Sequence, residues 1–398
     1  MKEKTVLSLS YGRIIIKPAE KLHGLVPESF ETYQIVNPGD IVLRTTDLQN
    51  DHTSLRVGMV RNRGIITSAY LALRVSAGVS PDFGFQFLNV WDMSKAIYGY
   101  GSGLRQNLDF SHFKRMPVAV PPPSEQAAIV RFLDWANGRL ERAIRAKRKV
   151  IALLNEQKQA IIHRAVTRGL DPSVPLKPSG IPWLGDIPQH WELRRLKWVL
   201  WLQRGFDLPA DRRKIGSVPV YSSGGHIDNH DVALASPPGI VIGRYGSTDA
   251  VFFVTEPYWP HNTSLFTTTL YNNHARWCFF LLRSISKGAY AGKSAVPGVD
   301  RKDLFDIVVP RPPVGEQRAI ASTIDTQLAD VDRSIASITE EIKLLREYRT
   351  RLVADVVTGK LDVREAVARL PEEAAADIAE DDTDLSDETE PADEEVAV

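Results

Sequence analysis

Cysteine is almost missing from this chain. One residue, Cys278, stands among 398, which excludes a disulfide scaffold and fits a reducing cytosol. A lone cysteine cannot anchor a zinc site, and the nine histidines show no metal-ligand spacing. No signal peptide stands out and no apolar run is long enough to span a bilayer, so a cytoplasmic chain without a membrane partner is expected. Net charge is missing as well, with 49 Lys and Arg against 49 Asp and Glu. That zero hides a division. Residues 371–398 hold 13 acidic residues and no basic one, which leaves 49 basic against 36 acidic residues (49 − 13) in 1–370. A basic body suggests a polyanion partner. The tail reads as disordered, as a competitor for the same surface, or as a plain solubility tail.

What the chain does have is a repeat. Shifting the sequence by 191 positions lays Glu125-Gln126 on Glu316-Gln317 and Leu170-Asp171 on Leu361-Asp362 without a gap, and 15 of the 47 aligned residues are identical. The apolar positions agree further. Ile129, Leu133, Leu140, Ile144, Ile151, Leu154, Ile161 and Val166 fall on Ile320, Ile324, Val331, Ile335, Ile342, Leu345, Leu352 and Val357. Spacings of mainly three, four and seven predict a long amphipathic or coiled-coil helix in each copy. At 1.5 Å per residue, Glu125 to Val166 would reach about 60 Å, the length of a strut and not of a domain interior.

The remaining sequence falls around these struts. Residues 1–123 predict an α/β domain with strands at Arg13–Ile16, Asp40–Arg44, Ile65–Thr67 and Tyr70–Val75, and a helix over Phe83–Tyr98. It closes on Pro121-Pro122-Pro123, with Ser124 as the expected N-cap. The first helix takes 124–167 and a proline-punctuated linker 168–190. A second domain takes 191–313, with strands at Gly239–Arg244 and Val251–Val254 and a helical stretch near Trp277–Leu282. The second helix takes 314–358, and 359–398 form a C-terminal segment ending in the acidic tail. Gly39–Arg44 has a counterpart in Gly239–Arg244, and Ser94-Lys95 with Tyr98 in Ser286-Lys287 with Tyr290, so the repeat includes the domains.

The chain resembles the specificity subunit of a Type I restriction-modification system. Three sets of residues carry the resemblance. The helix starts are Pro121-Pro122-Pro123-Ser124-Glu125-Gln126 and Pro312-Pro313-Val314-Gly315-Glu316-Gln317. The helix ends are Thr167-Arg168-Gly169-Leu170-Asp171 and Thr358-Gly359-Lys360-Leu361-Asp362. The linker string runs Ile181-Pro182-Trp183-Leu184-Gly185-Asp186-Ile187-Pro188-Gln189-His190-Trp191-Glu192. The match covers residues 5–370; the first domain lacks the linker string and the acidic tail lies outside the pattern. The resemblance implies a mixed α/β (α+β) fold in which two target recognition domains are separated by two long antiparallel coiled-coil helices, a pseudo-two-fold internal repeat. It implies a non-catalytic subunit that binds double-stranded DNA, each domain reading half of an asymmetric site. Two modification subunits would bring S-adenosylmethionine, and restriction subunits ATP and magnesium; this chain would hold no cofactor and no metal itself.

Chemistry of the chain's own is not expected. Gly288 to Ser294 resembles a phosphate loop but has three residues between its glycines instead of four, and Pro297 follows at once. Ser236-Pro237-Pro238-Gly239 echoes an amino-methyltransferase tetrapeptide with Gly in the aromatic place, and reads better as a turn before a strand. DNA contacts are expected from loops at strand ends, where glycine permits close approach, Arg can pair with guanine and Asn with adenine. In the second domain these are Tyr221, Ser222, Ser223, His226, Arg244, Tyr245, Ser247, His261, Asn262 and Lys293. In the first they are Arg44, Thr45, Thr46, Arg61, Arg63, Thr67, Ser68, Ser102, Arg105 and Gln106. The basic run Arg139, Arg142, Arg145, Lys147, Arg148 and Lys149 on the first helix faces either DNA or the acidic residues of the second, Asp330, Asp332, Glu340, Glu341 and Glu347. The competing reading is a coiled-coil scaffold whose divergent heads bind proteins.

Overall fold

A computed structural model of the chain describes residues 3, 5–10, 12–17, 32–46, 55–76, 78–97, 110–114, 116–244, 250–285 and 301–371. It is a mixture of helix and sheet in two compact units. One unit joins Met1–Lys147 to Glu340–Val398; the other is Arg148–Thr339. The division therefore cuts through both long helices and gives each unit one head and half of each helix.

In the first unit, β1 (Leu7–Ser10) and β2 (Arg13–Ile16) form a hairpin, and β3 (Gln34–Val36) pairs with β6 (Gly64–Ile66). The head is built on β4 (Ile41–Arg44), which lies between β5 (Val57–Met59) and β7 (Tyr70–Leu73), both antiparallel to it. Side chains alternate across a strand, and β4 is buried on both faces. Ile41 and Leu43 join one core with Val57 and Met59, and Val42 joins another with Leu7, Val36 and Ile66.

Helix α1 (Pro81–Met93) packs on β4 and β5. It starts two residues before the sequence suggests and stops well short of Tyr98, which lies outside the described residues. Ser80 caps its start by accepting from Phe83 N, Pro81 fits the first turn, and Lys95 ends it with a left-handed φ of 58°. A short α2 (Phe110–Phe113) leads to the first long helix, α3 (Pro123–Arg168). Ser124 is not its cap. The helix begins one residue earlier, at a proline whose fixed φ suits that place, and Pro122 O accepts from Glu125 N and Gln126 N.

The second unit opens with the hairpin β8 (Leu176–Pro178) and β9 (Asp186–Pro188), so the proline-rich stretch is packed structure. Leu184, Ile187 and Trp191 are buried in the unit's core. Next come β10 (Glu192–Arg195), β11 (Trp201–Arg204), β12 (Val218–Ser222), β13 (Gly225–His230), β14 (Gly239–Gly243), β15 (Val251–Val254), β16 (Trp259–Pro260) and β17 (Ser264–Thr269). They form a four-stranded sheet in the order β11-β17-β14-β15 and a three-stranded one in the order β13-β12-β16. Helix α4 (Ala275–Ser284) packs on β14 and β15, α5 (Arg301–Asp306) on β11, and β18 (Val308–Arg311) returns to β10 before the second long helix, α6 (Val314–Val357).

The two heads share a core topology. A central strand (β4 or β14) sits between two antiparallel neighbours (β5 and β7, or β15 and β17), and the last of these leads into a helix packed on the centre (α1 or α4). The likeness of Gly39–Arg44 to Gly239–Arg244 is the trace of this common centre.

Within each unit the long helices run antiparallel. In the first, Lys147 pairs with Glu341 and Arg349 with Glu141, over a core of Ile129, Leu133 and Ala136 against Leu352, Val353 and Val356. In the second, Lys158 pairs with Asp332, and Ile162 and Val166 share a core with Ile320, Ile324 and Leu328. Part of the helix charge is thus interhelical. After α6 the chain turns at Gly359 into α7 (Arg364–Ala368), with Val363 buried in the first unit's core.

Candidate nucleic-acid interface

The Gln of the repeated Glu-Gln pair fixes each head to its strut. Gln317 is fully buried; its Oε1 accepts from His274 N at 2.7 Å, and its Nε2 donates to Asn273 Oδ1 at 2.9 Å and Pro312 O at 2.9 Å. Gln126, also buried, does the same work in the first unit. It accepts from Ser80 N at 2.8 Å and donates to Gly78 O at 2.6 Å and Pro121 O at 2.8 Å. Ser80 and His274 are the N-cap residues of α1 and α4. One amide therefore satisfies groups at the helix start of the head and at the helix start of the strut together. Glu316 adds a second tie, accepting from His190 Nε2 at 2.6 Å and Trp191 Nε1 at 2.8 Å.

Antiparallel register gathers the expected loops of the second head at one end of its sheets. Arg204 ends β11, Arg244 follows β14, Ser223 follows β12, and 261–263 precede β17. Arg204 Nε donates to Asn262 O at 3.2 Å, Arg244 N to Thr263 O at 3.0 Å, and Ser223 N to Thr263 Oγ1 at 3.3 Å. Asn262 Nδ2 donates to Asp207 Oδ1 at 2.5 Å. The gathering depends on Gly205, where a Cβ would lie 2.2 Å from His261 O. Of the expected contacts, Tyr221, Ser222, Ser223, His226, Arg244, His261 and Asn262 are here. Tyr245, Ser247 and Lys293 lie outside the described residues.

These residues do not stand alike. Ser222 is buried, its hydroxyl donating to Gly225 O and accepting from Gly224 N. Tyr221 packs edge-on against Tyr258 and beside Phe252, and burial followed by the Glu256 charge raises its pKa. His226 is exposed, its ring bonded to Asn229. Arg204, Asp207 and Arg213 were missed in the sequence because only register brings them to these loops. Burial, and then the charge of Arg213, lowers the pKa of His261 against the weaker pull of Asp207. An NMR titration should give His261 a midpoint below that of an unfolded histidine, about 6.5. The fold's preference for neutral His261 is undiminished above that value and costs stability as pH falls below it.

In the first head, Arg44, Thr45 and Thr46 leave β4 at the end where Thr67 and Ser68 lead into β7, and Arg44 faces Tyr70 across the ladder. Gln34 Nε2 donates to Thr67 O at 3.0 Å and Tyr70 O at 2.6 Å. Arg56, buried at 0% exposure, donates from Nη1 to Thr46 O at 2.7 Å, so a core guanidinium shapes this loop. Thr45 is itself buried. Arg61 and Arg63 are not brought here. The hairpin puts Met59 beside Ile41, so both leave at the opposite end of β4. There Arg61 pairs with Asp82 at 3.6 Å, and Arg63 with Glu3 at 3.4 Å and Asn37 Oδ1 at 2.9 Å. Ser102, Arg105 and Gln106 lie outside the described residues.

Two heads of common topology, each tied by a buried glutamine to the start of a long helix and each gathering polar loops at one strand end, define an internally repeated, two-headed class of chain. No family model matches it. Its relatives are specificity subunits of Type I restriction enzymes. The MjaX specificity subunit of Methanocaldococcus jannaschii is 25% identical over 281 residues, 65% of this chain and 63% of that protein. The EcoBI specificity subunit of Escherichia coli is 27% identical over 31% of this chain and 27% of that protein. The chain thus spans less than two thirds of the length of these relatives. A chain from a solved structure of complex assembly and conformational transition in the type I R-M system shares the fold. Its TM-score is 0.65 at 14% identity, over 86% of this chain and 89% of that one. Among the described residues, no helix is long and apolar enough to cross a membrane.

Proposed function

We propose that the chain is the DNA-recognition subunit of a Type I restriction-modification complex. Each head reads one half of an asymmetric, two-part site, and the antiparallel coiled-coil helices set the gap between the halves. The observation that supports this reading is the pair of loop clusters at one strand end in each head, with Arg44 ending one central strand and Arg244 directly following the other. Arginine, asparagine and histidine on braced loops suit base edges and phosphates. The chain contributes no catalysis. Two modification subunits docked on the helices supply S-adenosylmethionine, and restriction subunits supply ATP and magnesium chemistry; the domain limits given from the sequence are part of this proposal.

Salt tests it. With six to ten phosphate contacts, affinity for duplex DNA should fall about 10³- to 10⁵-fold between 50 and 200 mM salt. Binding indifferent to salt, or no binding with modification subunits present, would sink the reading and favour protein-binding heads.

A further inference from the structure

At one equivalent place the two units differ in charge. Gln126 and Gln317 hold the caps of α1 and α4, so Ser80 corresponds to His274 and, two residues on, Asp82 to Arg276. On the struts the 191-residue shift lays Asp134 on Asp325 and Ala127 on Arg318. In the second unit Arg276 closes on Asp325 as a fork, Nη2 donating to Oδ1 at 2.7 Å and Nε to the same carboxylate at 3.0 and 3.2 Å. The first unit has neither cation, and a cleft of about 610 Å³ opens between α1 and α3. Val79, Ala127 and Val130 line it together with Asp82 and Asp134. Asp82 has a counter-charge in Arg61 at 3.6 Å and a place in the first turn of α1 that suits a carboxylate. Asp134 has no hydrogen-bond or ion-pair partner among the described residues. Arg131, which also lines the cleft, donates to Pro371 O at 3.4 Å instead. Burial on one side of Asp134, followed by the Asp82 charge, raises its pKa against the opposing charge of Arg61.

We propose that this cleft receives an arginine side chain of a modification subunit, its guanidinium settling on Asp134 as Arg276 settles on Asp325. The proposal rests on the reading above, in which modification subunits dock on the helices. Two carboxylates disfavour phosphate, so DNA is not the occupant. Val79, Ala127 and Val130 suit the aliphatic stem of a long cationic side chain. A planar guanidinium fork matches a carboxylate better than an ammonium does, and the second unit meets its own Asp325 with that group. Because Arg276 already fills the equivalent place there, the cleft is offered once per chain. Two identical modification subunits would therefore be held unequally, one with an added ion pair and the other without it.

The experiment uses the full chain with its aspartate carboxyl carbons labelled for NMR, and Asp134→Asn identifies the Asp134 signal by its loss. N-acetylargininamide should move that signal, N-acetyllysinamide should do so only at severalfold higher concentration, and magnesium should leave it in place. Asp82→Arg rebuilds the pair of the second unit, so it should abolish the response to the capped arginine and melt no lower than the parent. Native mass spectrometry then follows assembly. The parent chain should take up two modification subunits, and Asp134→Asn should weaken one of the two steps about tenfold and leave the other unchanged. That variant should melt no lower than the parent, since it removes a carboxylate repelled by Asp82. The assignment is overturned if the capped arginine leaves the Asp134 signal still, or if magnesium moves it instead. It is equally overturned if Asp134→Asn takes up both subunits as tightly as the parent, or weakens both steps alike. A parent chain that takes up no modification subunit would instead remove the reading beneath it.

Discussion

Chains lacking one heptad from each long helix, residues 148–154 and 336–342, will direct methylation to sites whose halves stand about three base pairs closer. Seven residues at 1.5 Å shorten a helix by about 10 Å, and base pairs are spaced 3.4 Å apart. The two segments are the stretches between two interhelical pairs, Lys158 with Asp332 in the second unit and Glu141 with Arg349 in the first. Removing both keeps those flanking pairs together. Seven residues is also close to two turns, so the apolar stripe drifts by only about 20° and the helices can still associate. Base-resolved mapping of methyladenine reads the result. If the shortened chain assembles and methylates sites with the original gap, the helices are not a ruler.

Replacing Gln317 by Leu should cost the second unit at least 3 kcal/mol or so. The change leaves His274 N, Asn273 Oδ1 and Pro312 O without their amide partner, and an unsatisfied buried group costs about 1–3 kcal/mol. Asn273 Oδ1 keeps one donor, Arg311 Nε at 3.1 Å, which softens its share. For a unit of this size, about 2–4 °C per kcal/mol implies a melting temperature lower by roughly 6–12 °C. Gln126→Leu should do the same to the first unit through Ser80, Gly78 and Pro121. Calorimetry of the two variants decides it, and an unchanged melt for either would mean that its amide is not a brace.

These two glutamines show where sequence reading stops. The 191-residue repeat made Glu-Gln visible as a landmark, because helical period and identity are local properties. What the amides hold lies 43 residues away for His274 and 46 for Ser80, and that pairing is settled only by tertiary packing. The stripe was legible for the same local reason: Ile129, Leu133, Ile144, Ile320, Ile324 and Val331 are all buried. The common centre of the heads was legible in Gly39–Arg44 and Gly239–Arg244, since a buried strand leaves an apolar run. Loop residues fared unevenly. Arg44 and Thr67 come together and Arg61 does not, because strand direction decides which end of a sheet a loop occupies, and composition carries no direction. Arg56 gives no local signal at all; a fully buried guanidinium serving loop carbonyls looks in sequence like any surface arginine.

The division of the chain also orders its folding during synthesis. The second unit is one continuous stretch, whereas the first needs residues 340–357 to cover the half-helix that ends at Lys147. Ile129, Leu133 and Ala136 therefore leave the ribosome without their partners Leu352, Val353 and Val356. At 5–20 residues per second the wait is roughly 10–40 s. The head made first is the last to be finished, and for that interval its half-helix lacks the apolar cover that 352–356 provide.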